Sequence, residues 1–187
     1  LWIGPDPGLY LLEDAPRIFP GFAGPVVKIL HRDHRGRLWI GTEGEGIYVM
    51  EDDVLEEMSP DEKLSRSFIT SIQHDHEGNI WIGTYTGGLV RLAPAVIEIL
   101  ADNHEELRTV IFAMESGPGD ALYAGTINKE LYRIAGERAE LLPDLSGYGI
   151  RSLLLRSNGE LWIGTDRQGV ITDGMGDRRS ITTRHGI

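Results

Sequence analysis

The sequence predicts an all-β protein of the β-propeller class, with four complete four-stranded antiparallel blades and one incomplete blade. Three observations carry this reading. A five-residue phrase, LWIGT at 38–42, returns unchanged at 161–165 and in variant form as LWIGP (1–5), IWIGT (80–84) and LYAGT (122–126). Its aromatic anchors Trp2, Trp39, Trp81, Tyr123 and Trp162 are separated by 37, 42, 42 and 39 residues, and a period of about 40 is the length of one propeller blade. HEAT and armadillo repeats share that period, but they need two helical segments per repeat. Here the runs around each anchor are short and rich in β-branched residues, and no segment of about 10–15 residues sustains a helical period.

Each repeat divides into the same elements. A first strand precedes the anchor: VVKILHR (26–32), FITSIQH (68–74), VIFAMES (110–116) and IRSLLLR (150–156). Twelve positions before the anchors stand Val27, Ile69, Ile111 and Ile150; ten before stand Ile29, Ser71, Ala113 and Ser152, mostly small, as the crowded centre of a radial assembly requires. A turn follows, Asp33-His34-Arg35-Gly36 and Asp75-His76-Glu77-Gly78, in which Asp accepts backbone N–H bonds and Gly tolerates positive φ. The later versions, Gly117-Pro118-Gly119-Asp120 and Arg156-Ser157-Asn158-Gly159, depart from it, the last keeping the Asn-Gly hairpin signal. The anchor phrase is the second strand. Its Trp is expected to fill the space between blades. Its Gly is expected to leave room for that ring or for a close backbone, and its Thr to bond a turn amide. A third strand (LYLL, IYVM, LVRL, LYRI, VITD) and a more polar fourth (VLEEM at 54–58, AELL at 139–142) complete the unit. The blades are expected at about 1–22 (partial), 23–64, 65–107, 108–149 and 150–187.

The best copy runs from Asp75 through Gly78, Trp81, Gly83, Thr84, Gly87 and Gly88 to Leu92. It resembles the two-component regulator propeller repeat, D-x-x-G-x-[LI]-W-I-G-T-x-x-G-G-L-x-R-L. The resemblance extends over essentially the whole chain; the copy at 117–134 is degenerate, and the copy at 1–12 lacks its turn and first strand. It implies a bacterial sensor propeller on the periplasmic or extracellular side of the inner membrane, whose parent receptor carries a histidine kinase or diguanylate cyclase output elsewhere. The tail Ile181–Ile187 resembles the lead-in to another first strand. The segment is therefore expected to be part of a larger ring of six to eight blades, the alternative being a five-blade ring with an incomplete first blade.

Composition narrows the functions. The 187 residues hold 18 Lys+Arg against 29 Asp+Glu, a net charge of −11, and no basic stripe. A phosphate backbone is repelled, so nucleic acid is not an expected partner, and neither is an anionic membrane surface. The absence of cysteine removes disulfides, thiolate metal sites and cysteine nucleophiles. No HExxH, EF-hand or P-loop spacing occurs, and no cofactor is expected.

The candidate binding residues lie in the turns after the anchor phrase: Asp6 and Pro7, then Glu43 and Glu45, Tyr85 and Thr86, Ile127, Asn128 and Lys129, and Asp166, Arg167 and Gln168. Variable turns on a constant scaffold are the usual arrangement for binding, although turns that nothing constrains vary as well. Tyr85 can stack on a small polar ligand such as a saccharide, and Asn128, Arg167 and Gln168 can hydrogen-bond it. His31, His34, His74 and His76 suggest metal ligands, but they flank turns of two blades that should be spread around a ring, so no metal site is expected. Ser71 and Ser152 read as small inner-strand residues rather than nucleophiles. Glu51-Asp52-Asp53 and Glu56-Glu57 read as a solvated edge that discourages edge-to-edge pairing. The leading expectation is a ligand-binding or sensing propeller without catalytic residues. The alternatives are a channel-mouth lyase, similar to the streptogramin lyases, and a protein–protein scaffold.

Overall fold

Five antiparallel sheets follow one another along the chain. The first has three strands, Trp2–Ile3, Tyr10–Leu12 and Pro16–Ile18. The second comprises Val27–Arg32, Leu38–Thr42, Ile47–Glu51 and Val54–Glu57. The third comprises Ile69–His74, Ile80–Thr84, Leu89–Ala93 and Val96–Ile99. The fourth comprises Ile111–Ser116, Leu122–Thr126, Leu131–Ala135 and Arg138–Leu141, and the fifth Ile150–Leu155, Leu161–Thr165, Val170–Gly174 and Asp177–Ile181. This computed structural model describes residues 1–4, 8–12, 15–58, 62–93, 96–174 and 177–182. Asp6, Pro7 and the tail from Thr183 lie outside the described residues. Helix is confined, among these residues, to the four-residue turns Glu62–Ser65 and Leu100–Asn103 and two 3-10 turns.

Strand alternation sends one face of each sheet forward to the next sheet and the other back to the previous one. Trp39 packs forward among Ile69, Ile72, Ile80 and Ile82 of the third sheet, and Trp81 forward among Ile111, Met114, Leu122 and Ala124 of the fourth. Both rings are almost completely buried, at 2% and 1% exposure. Tyr123 repeats the arrangement against Ile150, Leu153 and Ile163, and Trp2 against Val27, Leu38 and Ile40. The packing runs in chain order, through the first strands of sheets two, three, four and five. Among the described residues no comparable packing joins the first sheet to the fifth.

The glycine of the anchor phrase has a role that sequence reasoning assigned to the ring or the backbone. Its missing Cβ makes room for the β-branched residue that opens the next sheet. A Cβ on Gly41 would stand 2.6 Å from Ile69 Cγ2, one on Gly83 2.9 Å from Ile111 Cβ, and one on Gly125 2.6 Å from Ile150 Cγ2. Gly4 meets Val27 in the same way. The small column ten positions before the anchor follows from the same notch: Ile29, Ser71, Ala113 and Ser152 are the register partners of Gly41, Gly83, Gly125 and Gly164.

The turn aspartates also exceed their expected role. Asp75 Oδ1 accepts the amides of Glu77 (3.0 Å) and Asn79 (2.9 Å), while Oδ2 accepts the Asn79 side chain and the Trp81 indole N–H, both at 2.8 Å. Asp33 does the same for the amides of Arg35 and Arg37 and for the Trp39 indole at 2.9 Å. The hairpin and the inter-sheet ring are therefore fixed by one carboxylate.

Two stability outcomes follow. Gly41→Ala forces a methyl into Ile69 and should cost about 1–3 kcal/mol, the usual range for overpacking, read as a lower urea midpoint with unchanged slope; an unchanged midpoint would mean the notch is loose. Asp75→Ala leaves a buried indole N–H without its acceptor and should cost at least about 1–3 kcal/mol, whereas the same change at the exposed Glu77 should move the midpoint little.

Candidate functional site

The end of the sheets that carries the turns after the anchor phrase is built the same way in three of them, while in the fourth sheet Thr126 Oγ1 accepts the Glu130 amide at 3.3 Å. Thr42 Oγ1 donates to Gly46 O (2.8 Å) and accepts the Glu45 amide (3.1 Å); Thr84 and Thr165 make the equivalent bonds to Gly88 and Gly87 and to Gly169 and Gln168. The first turn residue is tied to the residue before the first strand. The amides of Glu43, Tyr85, Ile127 and Asp166 donate to the carbonyls of Val26, Phe68, Val110 and Gly149 at 2.8–2.9 Å. These clamps place the turns and the beginnings of the first strands on one rim.

Of the turn residues singled out by the sequence, Glu43, Glu45, Tyr85, Thr86, Ile127, Asn128, Lys129, Asp166, Arg167 and Gln168 are exposed there, and Asp6 and Pro7 lie outside the described residues. The structure also brings together residues that the sequence reading missed. Every first strand bulges just after its β-branched residue, where the register skips Lys28, Thr70, Phe112 and Arg151. A bulge re-aims a side chain, and this column, unlike its neighbour, is chemically diverse, which was a legible signal.

Bulge and turn residues then combine across the seam between the second and third sheets. Lys28 Nζ lies 2.6 Å from Glu43 Oε2 and 5.5 Å from the Phe68 ring centroid. The Phe68 ring is in turn 5.9 Å from that of Tyr85, which is 53% exposed. Further along the rim Arg151 stacks on Phe112 at 4.7 Å, and Asn128 Nδ2 reaches Thr109 Oγ1 at 3.4 Å. Aromatic faces beside paired charges can stack on and hydrogen-bond a polar ligand. Arg167 and Gln168 stand two sheets from Tyr85. Open clefts along outer strands elsewhere among the described residues include one of about 440 Å³ bordered by Trp2, Arg17, Phe19 and Asp53, and one of about 800 Å³ bordered by His104, Arg133, Glu137 and Glu140.

At the opposite ends of the first strands the histidines are closer than the sequence implied. The expectation that neighbouring turns keep them apart fails, because His31 and His74 face each other across the seam with Nε2 and Nδ1 2.8 Å apart. The His34 ring packs 5.7 Å from that of His74, while His34 and His76 remain exposed. Among the described residues no three His, Asp or Glu side chains are arranged to hold a metal. Burial first, and then the neighbouring His74, push the His31 pKa down to about 4 against the pull of Asp33. Burial and His34 likewise lower His74, opposed by Asp33 and Asp75. For Asp33 burial works against the charge, but the Trp39 indole, the Arg37 side chain and the Arg37 amide outweigh it and hold the carboxyl at about 2.

The family model of the two component regulator propeller matches three segments, residues 21–44, 63–86 and 144–167. These are the three repeats that join a full first strand to a Trp anchor; the Tyr123 repeat and the opening one fall outside them. The curated proteins contain no match. Among solved structures, the extracellular domain of a hybrid two component system from B. thetaiotaomicron is similar, with TM-score 0.81 and 19% identity, over 100% of this chain and 27% of that one. The extracellular domain of a one component system from the same organism gives TM-score 0.71 and 21% identity over 91% of this chain and 25% of that one. The virginiamycin B lyase of Staphylococcus aureus gives TM-score 0.63 and 15% identity over 82% and 54%. At these identities the likeness is one of fold, and the chain spans about a quarter of the length of the two receptor domains.

The histidine seam sets a pH dependence. His31 resists protonation in the fold down to about 4, while in the unfolded chain it takes a proton near its ordinary 6.5. Between those values the unfolded state binds more protons, so its contribution is complete above pH 6.5 and is lost as the pH falls toward 4. Urea midpoints measured across this window should fall with pH, and His31→Gln should flatten the slope. An equal slope in the variant would assign the acid sensitivity to other groups.

Proposed function

We propose that this chain, three segments of which match the two component regulator propeller, is a ligand-binding section of a bacterial sensor propeller on the extracytoplasmic side of its membrane. The observation that carries this reading is the rim cluster of Lys28, Glu43, Phe68 and Tyr85, assembled from two sheets by a bulge and two clamped turns. A scaffold repeated in detail holds a rim whose side chains differ in every repeat, which is how a fold presents a binding surface. The ligand class favoured by stacked rings beside a lysine–carboxylate pair is a small polar molecule such as a saccharide, whose ring faces stack and whose hydroxyls bridge both charges.

The proposed role is binding without turnover. The one carboxylate in the cluster, Glu43, is paired with Lys28, and the histidines that hydrogen-bond each other stand at the far ends of the first strands. No helix among the described residues is long and apolar enough to cross a membrane. The output of the receptor, and the domain that carries it, belong to the parent protein in this proposal.

A thermal-shift screen against oligosaccharides and polar metabolites tests the reading, since a ligand that binds only the folded state raises its apparent stability. With a binder in hand, Lys28→Ala combined with Tyr85→Ala should weaken it at least about tenfold while moving the ligand-free stability by no more than about 0.5 kcal/mol, the usual effect of surface changes. Undiminished affinity in the double variant would move the site off this rim.

A further inference from the structure

The seam between the second and third sheets is pinned at both ends. At the rim, Glu43 forms an isolated backbone bridge with Phe68, and Lys28 lies over the Phe68 ring. At the other end His31 and His74 share one hydrogen bond at 2.8 Å. We propose that this histidine pair is a proton-operated control of the rim: when the pair gains charge the seam opens, and the Lys28–Glu43–Phe68–Tyr85 cluster comes apart. That a ligand is then released rests on the binding role proposed for the cluster; the opening itself does not.

Short, shared strands couple the two ends. Lys28 and His31 lie on Val27–Arg32, about 10 Å apart at the rise of a strand. Phe68 directly precedes the strand Ile69–His74, which His74 ends. Between the two pins Ile69 sits in the Gly41 notch. A packed seam of this kind has discrete arrangements rather than a continuous range. The pairing is particular to this seam. In the next one Gln73 takes the place of His31, eight positions before its anchor, and bonds Glu115 at 3.3 Å. The histidine pair and the Lys28–Phe68 contact thus belong to one seam.

Protonation acts by removing an acceptor. With both rings neutral, one nitrogen donates and the other accepts. A first proton leaves an imidazolium that still donates to its neighbour. A second leaves two donors and two positive charges face to face between half-buried rings. The surrounding groups do not offset this. Asp33 is committed to Arg37 and the Trp39 indole, and Asp75 to Asn79 and the Trp81 indole. His34 and His76 add repulsion at His74, and Glu115 of the fourth sheet is engaged by Gln73. Both rings are accordingly held below their ordinary pKa, His31 at about 4, whereas a ring released to water titrates near 6.5. The closed seam is therefore favoured above pH 6.5 and the open one gains as the pH falls toward 4. At pH 5 the gain for His31 alone is about 30-fold. By reciprocity, a rim ligand that needs the closed seam holds protons off the pair.

The test places a thiol at the rim end of the seam in a chain that has no cysteine of its own. Leu64 is 3% exposed, belongs to the apolar cluster of this seam and stands four residues before Phe68, so Leu64→Cys reacts when the seam opens. Met114→Cys is the matching probe in the next seam. Labelling rates are divided by those of an unfolded peptide thiol at the same pH. Between neutral pH and pH 5 the corrected rate of Leu64→Cys should rise at least about tenfold, that of Met114→Cys should not, and His31→Gln with His74→Gln should abolish the rise. If Leu64→Cys fails to fold by far-UV circular dichroism, Ile72→Cys probes the same cluster. A flat rate overturns the proposal. So does a rise that survives the double glutamine variant, which would assign it to groups such as Glu115, and so does an equal rise at Met114→Cys, which would be a loosening of the whole chain. No ligand takes part, so the binding role of the rim stands or falls separately, on the thermal-shift screen.

Discussion

The architecture depends on one steric arrangement: a glycine on the second strand of each sheet, entered by a β-branched residue from the first strand of the next. The Gly41–Ile69, Gly83–Ile111 and Gly125–Ile150 contacts bring sheets so close that no side chain fits at the glycine. That closeness seals the anchor rings. Trp39 and Trp81 are buried because the following sheet is drawn over them, and the aliphatic residues of three second strands collect into seam-spanning clusters for the same reason. The area removed from water in this way is the main favourable contribution to such a fold.

Around that seam the two ends of each sheet are specialised. At one end a turn aspartate fixes the hairpin and the anchor indole together. At the other a threonine closes the variable turn, and its neighbour's amide clamps the turn to the start of the first strand. Neither device constrains the exposed side chains between them. The repeat can therefore change Glu43 for Tyr85 or Asp166 without altering the backbone that presents them, and this is the physical basis for proposing the rim as a recognition surface.

Much of the fold was legible because its signals are local. The anchor phrase, the β-branched runs and the Asp-x-x-Gly turns gave the strands and their order, and the variable turns gave one half of the rim. What escaped were relations between residues that the fold, rather than the local sequence, brings together. Nothing near Gly41 indicates that Ile69 will occupy its notch, and the Asp33–Trp39 bond is visible only once the hairpin brings positions six apart together. The bulges hid Lys28, Phe112 and Arg151, because a one-residue register shift breaks the alternation on which strand reading relies. The His31–His74 pair was misjudged because the spacing of turns around a ring was imagined at their tips, whereas the strands that bear these histidines converge.

The aspartate–indole bond is present in only two of the repeats that have a full first strand. Gly117 stands where the fourth repeat would carry the aspartate, and its anchor is a tyrosine; Arg156 stands there in the fifth. Cooperativity is therefore graded along the chain. The second and third sheets, which hold both bonds, are expected to open last in hydrogen exchange, and the fourth and fifth earlier. The rim inherits this division. The Lys28–Tyr85 half lies on the two sheets that have the aspartate–indole bond, and the Asn128–Arg167 half on the two that lack it. Occupancy that bridges the two halves would be transmitted as a loss of motion in the later sheets, a mechanical signal that requires no change in the average structure.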